Sequence, residues 1–197
     1  VLYEAPERLV SRQVSRSHAK SASRCPAVIQ MESRYFVVKC PFDLHIGFAR
    51  DDKGKAVLVN RAGTASPIRS NKLNEVLTLV NEAEWRYPDR PTVQLHLPYT
   101  FIADEPVWMT QVGTFAHYRQ DPLPGTIFGG RFQLNLWPRP LMWAFEWHEP
   151  EKDIILKRGD PLFYCQFEHE GPDRPVQMVE AEKTPDLMAY MEKISGV

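Results

Sequence analysis

The chain has 197 residues, 43% hydrophobic and 25% charged, with a formal net charge of −1. That fits one globular domain with ample material for a core and excludes binding to polyanions through overall charge. No apolar run approaches the roughly 20 residues of a membrane-spanning helix, no N-terminal stretch has the apolar core of a signal peptide, and no C-x-x-C pair is present to build a zinc ribbon. The three cysteines, Cys25, Cys40 and Cys165, are odd in number and widely spaced. They point to a reducing, cytoplasmic compartment, since an oxidising one leaves at least one thiol unpaired. Seventeen prolines against ten glycines favour turns and edge strands over long helices.

Residues 1–24 read as an extended basic arm. Arg8, Arg12, Arg16, Lys20 and Arg24 recur every four positions between serines, with no apolar face to bury. Such an arm suits an acidic surface on a neighbouring subunit, which makes these five residues the partner-binding candidates. Nucleic acid is a less favoured partner for the arm, and no membrane is expected.

The remainder, 25–197, reads as a single β-sandwich domain. "VIQME" (28–32) and "YFVVK" (35–39) flank Ser33-Arg34 as a hairpin, and "PFDLHIGFAR" (41–50) alternates cleanly before the Asp-Asp-Lys-Gly turn and its partner "AVLVN" (56–60). Leu73, Val76, Leu77, Val80 and Ala83 follow helical spacing, which predicts one mid-chain helix over 71–85. Strands are expected at 92–97, 107–112, 126–137 (kinked at Gly129-Gly130), 142–148, 153–157, 161–168 and, weakly, 175–180. Pro185 behind Thr184 opens a short C-terminal helix, 185–194. About ten short strands without βα alternation predict a mainly β fold, an antiparallel β-sandwich or jelly roll.

Three consecutive strands each separate an aromatic or aliphatic face from a polar one. The polar set is Gln133, Asn135, Glu146, His148, Gln166 and Glu168, and Arg139 sits in a corner stiffened by Pro138 and Pro140. If the sheet closes around them, these seven are ligand-binding candidates; if that face is wet, the aromatic face is simply the core. No histidine has Asp or Glu two residues later, and no H-x-H occurs, so neither the facial-triad pair nor the cupin pair is present. No metal site and no cofactor are therefore assigned. Catalytic residues are not identifiable: G-x-S-x-G, Walker and G-x-G-x-x-G signatures are missing. Asp104-Glu105 is read as turn chemistry at a strand entrance, and the Arg-Gly-Asp in "KRGDP" (157–161) as a tight turn.

Residues 98–168 resemble an uncharacterised family of phage and bacterial proteins. The resemblance is carried by Asp104-Glu105-Pro106-Val107, Pro124-Gly125, Gly129-Gly130, Trp137-Pro138-Arg139-Pro140, Trp143-x-Phe145-Glu146 and Arg158-Gly159-Asp160-Pro161. It implies a phage-associated role but supplies no activity. The rhythm of "PGTIFGG" and "KRGDPLFYCQF" is also similar to the trimeric jelly rolls of dUTPase and dCTP deaminase, without their catalytic motifs, and implies the fold alone. The functional expectation is a non-catalytic binding or assembly protein, a homo-oligomer or part of a larger assembly, engaging its neighbour through the arm. The alternative is a cupin-like small-molecule- or metal-binding enzyme with a polar cavity around Glu146 and Arg139.

Overall fold

The computed structural model describes residues 3–10, 24–171 and 174–195. The chain is mainly β, with three antiparallel sheets around a shared core. In chain order the elements are β1 (Glu7–Arg8), α1 (Pro26–Glu32), β2 (Tyr35–Lys39), β3 (Leu44–Arg50), β4 (Ala56–Asn60), α2 (Leu73–Val76), β5 (Leu77–Leu79), β6 (Thr92–Thr100), β7 (Trp108–Val112), β8 (Gly125–Ile127), β9 (Gly130–Gln133), β10 (Pro140–Trp147), β11 (Ile154–Leu156), β12 (Pro161–Glu168) and α3 (Pro185–Ser195). The sheets run β1-β2-β12-β7-β9, β5-β6-β10-β8 and β11-β3-β4. None of the described helices is long and apolar enough to cross a membrane.

Alternation decides what lies inside. Trp143, Phe145 and Trp147 from β10 and Phe163, Cys165 and Phe167 from β12 are buried in one cluster with Phe36 and Val38 of β2, Leu95 of β6 and Ile46 of β3. Trp143 stacks on Phe145 at 4.8 Å, while Phe48 meets Trp147 and Phe101 meets Phe167 edge-on. The aromatic face of "MWAFEWH" is thus the core, as the spacing predicts. A smaller cluster, Leu9, Val37 and Tyr164, lies on the opposite face of the five-stranded sheet.

Four expectations are corrected. Residues 28–32 form helix α1 rather than a strand; Pro26 sits in its first turn and Ser33 Oγ donates to Gln30 O, while none of its residues is buried, so no pairing partner claims the segment. The helix predicted over 71–85 survives only as a 3₁₀ turn at Ser70–Lys72 and the single turn α2. From there Leu77, Thr78 and Leu79 pair with Leu95, Gln94 and Val93 of β6, and the Asn81 side chain caps a second 3₁₀ turn at Glu82–Glu84. Leu73 and Leu77 are both buried, so the apolar spacing is real, but a sheet edge uses it.

The strand expected over 126–137 is divided. β8 pairs with β10 in one sheet, Phe128-Gly129 crosses over, and β9 pairs with β7 in the other. Residues 175–180 have no strand partner, although Val176 and Met178 pack against the core. The C-terminal helix forms as α3.

Trp143 and Trp147 allow a comparison on one strand face. Trp147 Nε1 donates to Lys152 O at 2.9 Å, whereas Trp143 Nε1 is buried with no partner among the described residues. Substitution to Phe removes similar volume from each, so Trp147→Phe is expected to cost about 1 kcal/mol more in chemical denaturation, the net worth of one buried hydrogen bond. Equal losses would contradict that difference. The thiols give a second test. Cys25 is exposed, while Cys40 and Cys165 are buried; burial pushes the Cys40 thiol up to about 12 and raises Cys165 as well. At pH 8 a thiol reagent should label one cysteine in the native protein and three after denaturation. Rapid native labelling of a second would place a core strand wrongly.

Candidate functional site

The registers of β7 and β12 arrange the outer face of the five-stranded sheet. Trp108 lies opposite Gln133 of β9 on one side and Glu168 of β12 on the other; Thr110 lies opposite Arg131 and Gln166, and Gln166 in turn opposite Tyr35. Cross-strand partners share a face, so these side chains form two adjacent rows. They are linked by a chain of polar contacts. Tyr35 OH donates to Gln166 Oε1 at 3.1 Å, Gln166 Nε2 donates to Glu168 Oε1 at 3.2 Å, and Arg131 Nη2 meets Glu168 Oε2 at 3.1 Å. The Arg131 guanidinium lies over the Trp108 ring, 4.5 Å from its centroid. Burial, and then the Glu168 charge, raise the Tyr35 phenol and keep it a donor.

Trp108, Arg131, Gln133, Gln166 and Glu168 of these rows floor an open cleft of about 560 Å³. Gln30 of α1 and Arg34 form one part of its wall, Pro106 another, and His169-Glu170 a third. The rim after β12 is braced, because Arg174 makes two bonds to Glu105, at 2.9 and 2.7 Å. Arg174 holds the Glu105 carboxyl below the usual range, so Glu105 serves as an anchor for the rim.

The seven ligand candidates therefore divide among three places. Gln133, Gln166 and Glu168 meet in this cleft, but Glu146 and His148 lie on the four-stranded sheet. There His148 Nε2 sits 2.9 Å from Glu146 Oε1 and 3.3 Å from Thr126 Oγ1, with Arg90 Nη1 at 3.6 Å from Glu146 Oε1. The Glu146 side chain is 7% exposed and its Oε2 has no partner among the described residues, while His148 is 35% exposed. This is no Thr–His–Glu relay: such a relay needs the nucleophile hydroxyl and the orienting carboxylate on different nitrogens of the histidine, and here both contacts fall on Nε2.

Arg139 and Asn135 occupy the third place. Arg139 stacks over Trp137 at 4.3 Å, and Asn135 O accepts a bond from Tyr190 OH of α3 at 3.2 Å. Alternation ends at Gln133, because residues 134–136 turn, leaving Leu134 buried and Leu136 67% exposed. Arg139 and Glu146 stand at opposite ends of β10, about 20 Å apart along an extended strand. The expected polar cavity around that pair does not form, because the space between the sheets is filled with aromatic rings.

The arm is described only in part. Arg12, Arg16 and Lys20 lie outside the described residues, and Arg24 is exposed. Arg8 is used within the fold: it bonds Ser33 O and, at 2.6 Å, Val176 O, and it lies over Phe36. Its segment is also tied down by Leu9 in the outer cluster, Glu7 with Lys39, and Glu4 with Arg158 and Tyr99. The Arg-Gly-Asp turn lies at the surface with Gly159 at φ 86°, and its Asp160 carboxylate is taken up within the fold by Arg119 and the Lys157 amide. The histidines scatter: His45 pairs with Asp153, His96 with Thr78, and His117 with Tyr164.

Sequence reasoning missed Trp108, Arg131, Arg34 and Tyr35. The signal was present for two of them, since Trp108 alternates with buried Met109 and Arg131 with Phe132. Compared with models of known protein families, with curated proteins and with solved structures, the chain matches none.

The Glu146 cluster is testable by stability. His148→Ala leaves the buried carboxylate with Arg90 as its one charged partner among the described residues and is expected to lower unfolding free energy by about 1–3 kcal/mol at pH 7. Adding Glu146→Gln removes the stranded charge and should recover part of that loss. An additive double variant would mean the two side chains are uncoupled.

Proposed function

We propose that the chain is a non-catalytic binding protein whose ligand surface is the outer face of the five-stranded sheet. The observation that carries this reading is the linked row Tyr35–Gln166–Glu168–Arg131 laid against Trp108 on the floor of an open cleft. Both Glu168 oxygens are occupied by neighbours, so the carboxylate acts as a fixed acceptor and positions Arg131, a role suited to recognition. The cleft's size falls within the range of small-ligand sites, and its few placed polar groups around an aromatic side chain are the usual lining. The three free thiols support a reducing, intracellular setting.

The proposed surface is the sheet, a different one from the basic arm expected from the sequence. Ligand-observed NMR with a mixed library of saccharides, nucleotides and short peptides tests it. At least one class should bind the wild-type protein and weaken tenfold or more in Trp108→Ala, with recovered ligand unchanged by mass spectrometry. Turnover of a bound compound would contradict the non-catalytic part, and binding indifferent to Trp108 would move the surface elsewhere.

A further inference from the structure

We infer that the cleft accepts a neutral, polyhydroxylated ring, the chemistry of an uncharged glycan. The inference rests on the reading of the outer sheet face as a ligand surface and adds the class of ligand. Three features of the lining converge on it.

The first is charge. Arg34 and Arg131 face Glu168 and Glu170, which balances the fixed charges around the cleft. His169 adds none in its hydrogen-bonded form: its Nδ1 accepts from Gly171 N at 2.9 Å while its Nε2 donates to Arg174 O at 3.2 Å, an arrangement that a neutral ring satisfies. A phosphate approaching Arg131 meets Glu168, which already holds that guanidinium, and an ammonium group approaching Glu168 meets Arg131. Neither sign of charge gains a free counter-ion there.

The second is the alternation of donors and acceptors. The half-buried Gln133 amide has no hydrogen-bond partner among the described residues and offers both an oxygen and an N–H pair. Arg131, two residues before it on β9, and Glu170 share the lining with it and add a guanidinium and a carboxylate. A hydroxyl both donates and accepts, so vicinal hydroxyls can satisfy such a mixed lining, whereas a purely anionic or purely cationic ligand leaves half of it unpaired. Gln166 and Glu168 are already locked by Tyr35 and Arg131, so their side-chain entropy is lost on folding and does not weigh on binding.

The third is the apolar part of the floor. Trp108 is 39% exposed with Pro106 at its border and Arg131 stacked over one face of the indole, so a sugar ring would lay its C–H face on the ring surface that remains exposed, between polar groups that reach its edges. An open, shallow cleft of this kind implies weak monovalent affinity, with Kd roughly 0.01–1 mM.

The experiment is isothermal titration of the intact protein with neutral oligosaccharides of glucose, galactose, mannose and N-acetylglucosamine. Sialylated and sulfated oligosaccharides, nucleoside phosphates and tripeptides form parallel panels. At least one neutral saccharide should bind in the stated range, weaken tenfold or more in Trp108→Ala and in Gln133→Ala, and recover partly in Trp108→Phe. Unchanged circular dichroism and thermal midpoints establish that the variants fold. Binding confined to an anionic, nucleotide or peptide panel, with the same Trp108 dependence, overturns the glycan assignment and leaves the binding-protein reading standing. No binding in any panel, or binding indifferent to both side chains, overturns both.

Discussion

The structure depends on the sealing of one aromatic layer. β10 lies inside the four-stranded sheet and β12 inside the five-stranded sheet, and the inward faces of both carry rings that must leave water. Each large ring hides about 150–250 Å², worth roughly 4–6 kcal/mol at 25 cal/mol per Å² before entropy is counted. No local preference in this chain competes with terms of that size. Once the inward faces are set, the two-residue period of a strand sets the outward ones, and cross-strand register sets which outward side chains become neighbours. The row Gln133–Trp108–Glu168 is therefore a consequence of where Met109, Phe132 and Phe167 are buried or packed.

That dependence explains what the sequence reveals. β10 and β12 are legible because each carries a strong alternating pattern and sits centrally, where the pattern and the packing agree. Segment 71–85 misleads because Leu73, Val76, Leu77 and Val80 satisfy a helical template while β-branched Val76, Thr78 and Val80 equally suit a strand; the free edge of β6 decides between them. Residues 28–32 mislead in the opposite sense. Their run of Val and Ile suggests a strand, but the segment buries nothing, and Pro26 in the first turn favours a helix.

The site was half legible for the same reason. Gln133, Gln166 and Glu168 are named by alternation alone, because a polar residue between two core residues must face outward. Their convergence depends on β7 lying between β9 and β12, a long-range topology that no local window contains. Glu146 and His148 obey the same alternation on another sheet, so reading all six polar residues as one set joined two faces that the core separates. Asn135 and Arg139 fall out because the chain turns at 134–136 before β10 begins.

Glu146 remains the residue whose burial calls for a physical account, since a carboxylate more than nine-tenths buried, with one oxygen unpartnered, is costly. Its place on β10 supplies one. β10 is rich in large apolar side chains on both sides of Glu146, and a slip of one residue would present them to the sheet's other face. In the observed register Glu146 lies opposite Thr92 and Thr126 and reaches His148 and Arg90. In a slipped register the same carboxylate would enter the apolar layer now held by Trp143, Phe145 and Trp147, on the far side of the sheet from Arg90. Gly125 reinforces the constraint, because a Cβ there would collide with the Glu146 carbonyl, which fixes how closely β8 approaches. Glu146 thereby helps hold the alternation that builds the ligand-bearing face of the opposite sheet.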